Sequence, residues 1–159
     1  MMNFLGVQMY KIYCDGATSN NKKGEGIGGC GWVILKDNEK INEGAIHLDG
    51  TTNNECELKA MINSYLQLSP MITSLDEVEF YTDSAYIYNC YSQGWWKKWI
   101  INGWINSKKQ PVANKELWEL IIPLFNNKQF SFYKVKGHQG DYWNEYVDKL
   151  AVSAKLMKT

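Results

Sequence analysis

Residues 10–17 read YKIYCDGA, and the rest of the chain can be ordered around this stretch. Apolar and polar residues alternate through it, a period of two that is typical of a β-strand. The pattern stops at Gly16, so we expect the strand to end there, with the Asp15 carboxylate at its carboxyl end. Loops diverge at that end of a helix-covered sheet and leave a crevice in which sites form. Asp15 is therefore a candidate site residue, although most Asp-Gly pairs are only turns.

The composition indicates one folded domain. The chain has 159 residues, is 45% hydrophobic and contains seven tryptophans and ten tyrosines, which is enough for a full core. We expect a short leader over residues 1–9, without signal-peptide features, and a single domain over residues 10–159. No apolar run approaches the ~20 residues of a membrane span. The four cysteines have no metal-ligand spacing, which predicts reduced packing residues. From the missing signal-peptide features and membrane span we expect a cytoplasmic protein with no membrane partner.

The net charge is zero, but it is unevenly distributed along the chain. All 17 cationic side chains are lysines. Residues 93–115 contain no acidic residue and five of these lysines, which are Lys97, Lys98, Lys108, Lys109 and Lys115. Four tryptophans interleave with them, at Trp95, Trp96, Trp99 and Trp104. A helix with inward-facing tryptophans would explain part of the pattern, but so many uncompensated lysines favour a nucleic-acid backbone as the partner.

The order of the predicted elements favours a mixed α/β fold. After the first strand the sequence predicts a glycine-rich loop over residues 18–31, strands over 31–36 and 41–48, a helix over 52–69, a strand over 78–82, a helix over 84–91, the basic aromatic segment, a helix over 114–125, a strand over 130–135 and a last helix. The glycine-rich loop does not match a Walker motif, because it leads into a strand and not into a helix.

Two glutamates on the first predicted helix have different expected roles. Thr52 and Glu55 fit a capping box, which gives Glu55 a structural task at the amino terminus of the helix. Glu57 has no such task. It lies at the edge of the apolar stripe and should point along the sheet, where a buried carboxylate needs a partner.

Two further acidic residues and a histidine complete the candidate set. Asp83 follows the strand over residues 78–82 and, taken alone, would be interpreted as a helix cap. Asp148 lies on the last helix, and His138 stands between two glycines just before it. Four carboxylates in one crevice would repel each other unless hard divalent cations bind them, which favours Mg²⁺ or Mn²⁺ over zinc. Two such ions about 4 Å apart support in-line phosphoryl displacement.

Four short motifs resemble those of ribonuclease H of type 1. They are YCDGA at Asp15, TTNNECEL at Glu57, YTDSAY at Asp83, and VKGHQG with NEYVDKLA at His138 and Asp148, in the family's order. The resemblance extends over nearly the whole chain. It implies an α/β fold of the ribonuclease H type, with a five-stranded mixed sheet flanked by helices. It also implies an endonuclease that hydrolyses the RNA strand of RNA/DNA hybrids with two Mg²⁺ ions, for which Mn²⁺ can substitute, and that leaves 5′-phosphate and 3′-hydroxyl ends.

The resemblance also implies roles for individual residues. Asp15, Glu57, Asp83 and Asp148 match the metal ligands, and His138 matches a loop histidine that assists proton transfer or product departure. The matches to substrate-binding positions are Asn53 in the minor groove, Thr52 and Asn114 at a DNA phosphate, and Trp95, Trp96, Trp99, Lys97, Lys98, Lys108 and Lys109 in the basic protrusion. Asn54, next to Asn53, is expected to reach the 2′-hydroxyl groups of the same groove. The glycine loop is longer than is usual in the family, so the resemblance does not determine whether Asn20 or Asn21, if either, contacts the hybrid.

Two other functions remain open at this point. A two-metal nuclease or integrase acting on DNA would share the carboxylates, but the histidine loop and the placement of Glu57 argue against it. A non-catalytic nucleic-acid module would have no use for four acids beside a polyanion. We expect a monomer.

Overall fold

A five-stranded sheet organises the computed structural model, which describes residues 6–20, 22, 24–136 and 141–157. The elements in chain order are β1 (Met9–Thr18), β2 (Ile27–Lys36), β3 (Glu39–Asp49), α1 (Asn53–Leu68), a short 3-10 helix (Ser69–Met71), β4 (Glu77–Thr82), α2 (Ala85–Gln93), α3 (Trp95–Asn102), α4 (Lys115–Phe125), β5 (Phe130–Lys134) and α5 (Tyr142–Leu156). The strand order is β3-β2-β1-β4-β5. The predicted mixed α/β fold is therefore confirmed.

The first three strands form an antiparallel meander, and the last two join it in parallel. Asp37 and Asn38 connect β2 to β3 with φ angles of 50° and 68°, the left-handed values that a tight hairpin turn requires. β4 pairs with β1, and β5 pairs with β4, both in parallel. Since parallel neighbours need a crossover, α1 connects β3 to β4, and the segment from α2 to α4 connects β4 to β5.

The first strand is longer than the sequence predicted. β1 continues past Gly16 to Thr18, and Asp15 is paired with Gly31 of β2. On the other side of β1, the pairing with β4 stops at Tyr13 and Tyr81. Asp15 therefore lies not at the tip of a strand but at the point where β1 and β4 separate, because β2 still supports β1 there. This divergence opens the crevice that was expected beyond the strand end.

The last third of the glycine-rich segment is strand, so the loop predicted over residues 18–31 is too long. β2 begins at Ile27. A Cβ at Gly28 would lie 2.5 Å from Cys56 Sγ, and one at Gly31 would lie 2.7 Å from the Val147 carbonyl oxygen. These glycines are thus required for close approach of α1 and α5 to opposite faces of the sheet. Close packing on the helices therefore explains the glycines within β2.

The core lies mainly between the sheet and the layer that contains α1 and α4. Ile12, Phe80, Leu58, Met61 and Trp118 are completely buried there. A smaller cluster under α5 contains Tyr13, Val33, Leu35 and Val147. The cysteines Cys14, Cys30, Cys56 and Cys90 are all buried and free, which confirms the packing role predicted for them. Among the described residues, none of the helices is long and apolar enough to cross a bilayer.

His47 fastens the end of α5 to the sheet. Its Nδ1 lies 2.8 Å from the Ala154 carbonyl oxygen, and its Nε2 lies 3.0 Å from Asp49 Oδ1. Both partners are acceptors, so both contacts are hydrogen bonds only when the ring carries two protons. The bond to Ala154 and then the contact with Asp49 raise the pKa of His47. These two contacts of His47, which we call the clasp, are therefore strongest when the ring is an imidazolium.

We expect this clasp to make stability depend on pH in a defined direction. A pKa that is raised on folding contributes stability below the ordinary value of 6.5, and that contribution disappears as the pH rises through the raised value. Thermal unfolding of the wild type and His47→Gln, measured from pH 5 to pH 9, should show the largest difference at the acidic end. A difference that is constant with pH would contradict a charged clasp.

Candidate metal centre and nucleic-acid interface

Three carboxylates converge where β1 and β4 separate. One oxygen from each of Asp15, Glu57 and Asp83 lies within 4.8 Å of the other two. Asp148 lines the same opening, which has a volume of about 430 Å³. The structure thus brings together all four carboxylates that the sequence singled out, three of them tightly.

Gly16 allows the first two carboxylates to meet. Its backbone N–H donates to Asp15 Oδ1 at 2.9 Å and to Glu57 Oε1 at 3.1 Å. A Cβ at this position would lie 2.6 Å from the Cβ of Cys56, so a larger residue would push α1 away from β1. The Asp-Gly pair is therefore not a turn. It is the point at which the first turn of α1 packs on the strand.

Asp83 does not cap α2, although its sequence position alone would suggest a helix cap. Ser84 caps α2, since its hydroxyl accepts a hydrogen bond from the Ile87 N–H at 3.1 Å. The hydroxyl of Thr82 accepts another from the Ser84 N–H at 3.1 Å. These two bonds fix the backbone on both sides of Asp83 and leave its carboxylate for the opening.

Asp148 reaches the opening from the other face of the sheet. Helix α5 is capped by Asp141, whose carboxylate accepts from the Asn144 N–H at 3.0 Å. Val147 is fully buried, and its backbone packs against Gly31 of β2, so this contact sets how closely α5 approaches the sheet. Asp148 follows Val147 and lines the opening, where its side chain is one of the smaller causes that raise the pKa of Asp15.

The electrostatics of the cluster are unfavourable as they stand. Burial, and then the Glu57 charge, raise the pKa of Asp15 far above its ordinary value. Burial is also the main cause that raises the pKa of Glu57, with the Asp83 charge adding to it. Glu57 Oε2 is buried and has no hydrogen-bond partner among the described residues. An acceptor in that position is costly unless something donates to it or coordinates it.

A hard divalent cation fits this set of oxygens. Carboxylates are the ligands that Mg²⁺ and Mn²⁺ prefer, and the orphaned Glu57 Oε2 supplies a free ligand atom. Cys14 is close enough for the acidic charges to raise its pKa further, after burial, but it is fully buried and its Sγ faces the Tyr81 carbonyl oxygen at 3.9 Å. The cluster in the described part of the chain is therefore an all-oxygen site.

We expect Glu57→Gln to stabilise the metal-free protein. The raised pKa values mean that the folded state holds protons that the unfolded chain releases, so stability falls as the pH rises above the ordinary carboxyl range. The amide removes part of that cost and should add on the order of 1 kcal/mol near pH 8 and almost nothing near pH 4. Thermal unfolding in EDTA at both pH values would measure this gain.

Glu55→Gln is the matched control for that measurement. The Glu55 carboxylate is partly exposed and pairs with Lys59 at 2.9 Å. Its replacement should not produce a gain that grows with pH. Added Mg²⁺ should raise the unfolding temperature of the wild type and of Glu55→Gln, and should raise that of Glu57→Gln less. Equal behaviour of the two variants would contradict the assignment of Glu57.

The basic aromatic segment, residues 95–109, forms α3 and the turn after it. Lys97, Lys98, Lys108 and Lys109 are all exposed. Trp95 and Trp99 are half-buried and, with Lys98, line a groove of about 580 Å³. The groove combines a cationic side chain with aromatic faces. Proteins that bind single-stranded nucleic acids use the same combination to hold the backbone and to stack on the bases.

Trp96 differs from its neighbours and corrects one prediction. It is 9% exposed, belongs to the core and packs on Phe125 with the ring centroids 6.4 Å apart. The ammonium group of Lys97 lies 5.4 Å from the centroid of its ring. We therefore assign Trp96 to holding α3 on the core, instead of the predicted contact with a substrate.

Two of the predicted polar contacts line the acidic opening. Asn53 and Asn54 line it and are exposed. Thr52 caps α1 by accepting from the Glu55 N–H at 3.2 Å, as the capping pattern predicted, and its own hydroxyl proton remains available to a ligand. His138 lies outside the described residues, as does Asn21.

Tyr86, which contacts Asn114, is a site residue that the sequence reasoning missed. The side-chain amide of Asn114 donates to the Tyr86 hydroxyl at 3.4 Å, and the Trp118 indole donates to the same oxygen at 2.9 Å. Tyr86 also lines the acidic opening, so it links the opening to Asn114. The YTDSAY stretch contains this tyrosine, but only the tertiary contact shows its place. A tyrosine three residues after Asp83 could have been proposed as facing the crevice.

Comparison with known proteins supports one class. The family described as RNase H matches residues 8–155. The ribonuclease H of Syntrophomonas wolfei is 43% identical over 143 residues, covering 90% of this chain and 93% of that protein. The ribonuclease H of Desulforamulus reducens is 42% identical over 145 residues, covering 90% and 85%.

Solved structures agree with the sequence relatives. LC9-RNase H1, described as a type 1 RNase H with the type 2 active-site motif, superposes with a TM-score of 0.76 at 26% identity, covering 94% of this chain and 72% of that one. LC11-RNase H1, solved in complex with an RNA/DNA hybrid, has the same fold with a TM-score of 0.63 at 22% identity, covering 91% and 95%.

The family match and these relatives identify the protein as a metal-dependent nuclease, a class that the all-carboxylate site fits. The chain belongs to the ribonuclease H family, in its type 1 branch.

Proposed function

We propose that this protein is an endonuclease that hydrolyses the RNA strand of RNA/DNA hybrids by a two-metal mechanism, leaving 5′-phosphate and 3′-hydroxyl ends. The observation that carries the proposal is the orphaned oxygen of Glu57 inside a crowded carboxylate cluster, within a chain of this family. Two Mg²⁺ ions, or Mn²⁺ in their place, would supply an activated water and stabilise the leaving oxygen.

The chain's own residues prepare the site for that chemistry. Asp15, Glu57, Asp83 and Asp148 would hold the ions, since their oxygens face one opening. The Gly16 N–H donates to two of these carboxylates and so fixes their positions relative to each other. His138 is proposed to assist proton transfer or product departure, on the strength of its motif alone.

Recognition of the hybrid would use groups at the rim of the opening. The side chains of Asn53 and Asn54 are exposed there and can hydrogen-bond to 2′-hydroxyl groups in a wide, shallow minor groove. Thr52 and Asn114 are proposed to hold a DNA phosphate. The complex of LC11-RNase H1 with a hybrid supports this substrate class. Such contacts would discriminate between sugars without reading the base sequence.

We also propose that residues 10–159 act as one catalytic domain, that the protein works as a monomer, and that it is cytoplasmic. The four free, buried cysteines support a reducing compartment.

The first test is substrate choice. Labelled RNA/DNA hybrid, double-stranded RNA and double-stranded DNA should be incubated with and without Mg²⁺, and the product ends should be mapped. Only the hybrid should be cut, only with the metal present, and only in its RNA strand. Preferential cutting of DNA would favour the integrase-like alternative, and metal-dependent binding without any cleavage would favour a non-catalytic module.

The second test is removal of single ligands. Asp15→Asn and Asp83→Asn keep the volume of the side chain but weaken its interaction with a cation. Each should lower kcat by about 10²-fold or more, while the unfolding temperature in EDTA stays the same or rises. Glu55→Gln should retain nearly full activity under the same conditions, because its carboxylate pairs with Lys59 outside the cluster. Full activity of Asp83→Asn would show that Asp83 is not a metal ligand.

The third test concerns the basic segment. Replacing Lys97, Lys98, Lys108 and Lys109 together with alanine should raise KM, with kcat nearly unchanged, because the lysines bind the ground and transition states equally. The slope of log KM against log salt should fall, by up to about four if each lysine neutralises one phosphate. A large fall in kcat with an unchanged salt slope would mean that the segment shapes the active site instead.

A further inference from the structure

One asparagine organises the turn that presents the last two lysines of the basic segment. Asn106 Oδ1 accepts from the N–H groups of Lys108 and Gln110, both at 2.9 Å. The Asn106 carbonyl accepts from the Lys109 N–H at 2.9 Å, and its own N–H donates to the Gln110 carbonyl at 2.8 Å. Four hydrogen bonds of the five-residue turn therefore involve Asn106.

The turn holds its lysines in an unusual backbone conformation. Lys109 has a φ of 60°, which side chains with a Cβ seldom adopt unless their surroundings impose it. Lys108 and Lys109 are both exposed, so no packing of their side chains can impose it. The hydrogen bonds around Asn106 are the interactions that can.

The base of the turn is held independently of Asn106. Ile105 and Pro111 form an isolated bridge, and the Val112 N–H donates to the Trp104 carbonyl at 2.9 Å. Asn102 adds two bonds, because its side chain donates to the Ile105 carbonyl at 2.9 Å and accepts from the Ile105 N–H at 3.1 Å. Loss of the Asn106 side chain would remove the two bonds to Oδ1 and keep the two backbone bonds, so residues 106–110 should loosen while the rest of the segment stays in place.

We propose that Asn106 is a positioning residue for substrate binding, which holds Lys108 and Lys109 as a preformed pair for backbone phosphates. The proposal rests on the proposed function, in that it assumes that the basic segment binds nucleic acid. A turn that is ordered before binding loses little conformational freedom when its lysines meet the phosphates. Without the side chain of Asn106, that ordering must occur during binding, and affinity falls although no charge has been removed.

The experiment is a double-mutant cycle on binding. Dissociation constants for a labelled RNA/DNA hybrid are measured by fluorescence anisotropy in EDTA, for the wild type, Asn106→Ala, Lys108→Ala/Lys109→Ala and the triple variant. Asn106→Ala should weaken binding about threefold to tenfold in the wild-type background. In the background without the two lysines it should have almost no effect, because there is nothing left to position. An equal loss in both backgrounds, or no loss in either, would overturn the proposal.

Asn127 provides a matched control. It forms the same kind of exposed turn between α4 and β5, where its Oδ1 accepts from the Gln129 N–H at 2.9 Å and its carbonyl accepts from the Phe130 N–H at 3.0 Å. Asn127→Ala should leave the dissociation constant unchanged. If it weakens binding as much as Asn106→Ala does, the effect is general destabilisation and the positioning role is wrong.

Two further readouts separate this inference from the proposed function. In steady-state cleavage with Mg²⁺, Asn106→Ala should raise KM and leave kcat unchanged. A wild type that neither binds nor cuts the hybrid would refute the proposed function itself. A wild type that binds and cuts the hybrid, with a fully additive cycle, would refute only the role of Asn106.

Discussion

The contact between α1 and β1 at Gly16 is the constraint on which the rest of the site depends. It places two buried carboxylates on one backbone N–H, with only a few ångströms between their oxygens. Such an arrangement opposes folding, since burial and mutual repulsion both penalise the charged forms. It persists because the glycines of β2 let α1 and α5 pack so closely on the sheet that the surrounding core holds the cluster together.

The charge pattern of the chain follows from the same constraint. Four acidic residues line one crevice, and residues 93–115 contain five lysines and no acid, although the whole chain has zero net charge. Neither region is compensated by its own neighbours. Each has a partner of opposite charge outside the protein under the proposed function, a cation for the crevice and a phosphate backbone for the segment. The uncompensated charges lower the stability of the folded protein and favour binding of the partner, a combination that is common at functional sites.

Within the basic segment, packing and binding are divided between residues that are adjacent in sequence. Trp96 lies in the core, whereas Lys97 and Lys98 are exposed and Trp99 lies between these extremes. One helical turn can therefore anchor the segment through its tryptophans and present its charges to solvent. Asn102 at the end of α3 and Asn106 in the following turn extend this arrangement, because both fix the exposed backbone with local hydrogen bonds.

The sequence by itself determined the mixed α/β fold, the capping of α1 by Thr52 and the four acidic candidates, because periodicity, capping and motif spacing are local properties. It could not determine that β2 begins at Ile27 or that β1 passes beyond Gly16, since both depend on how closely α1 and α5 approach the sheet. Whether Asp83 or Ser84 caps α2, and whether Trp96 faces the core, was likewise decided by three-dimensional packing. Tertiary structure alone showed that a buried oxygen of Glu57 has no partner within the described part of the chain, because that depends on atoms distant in sequence meeting in space.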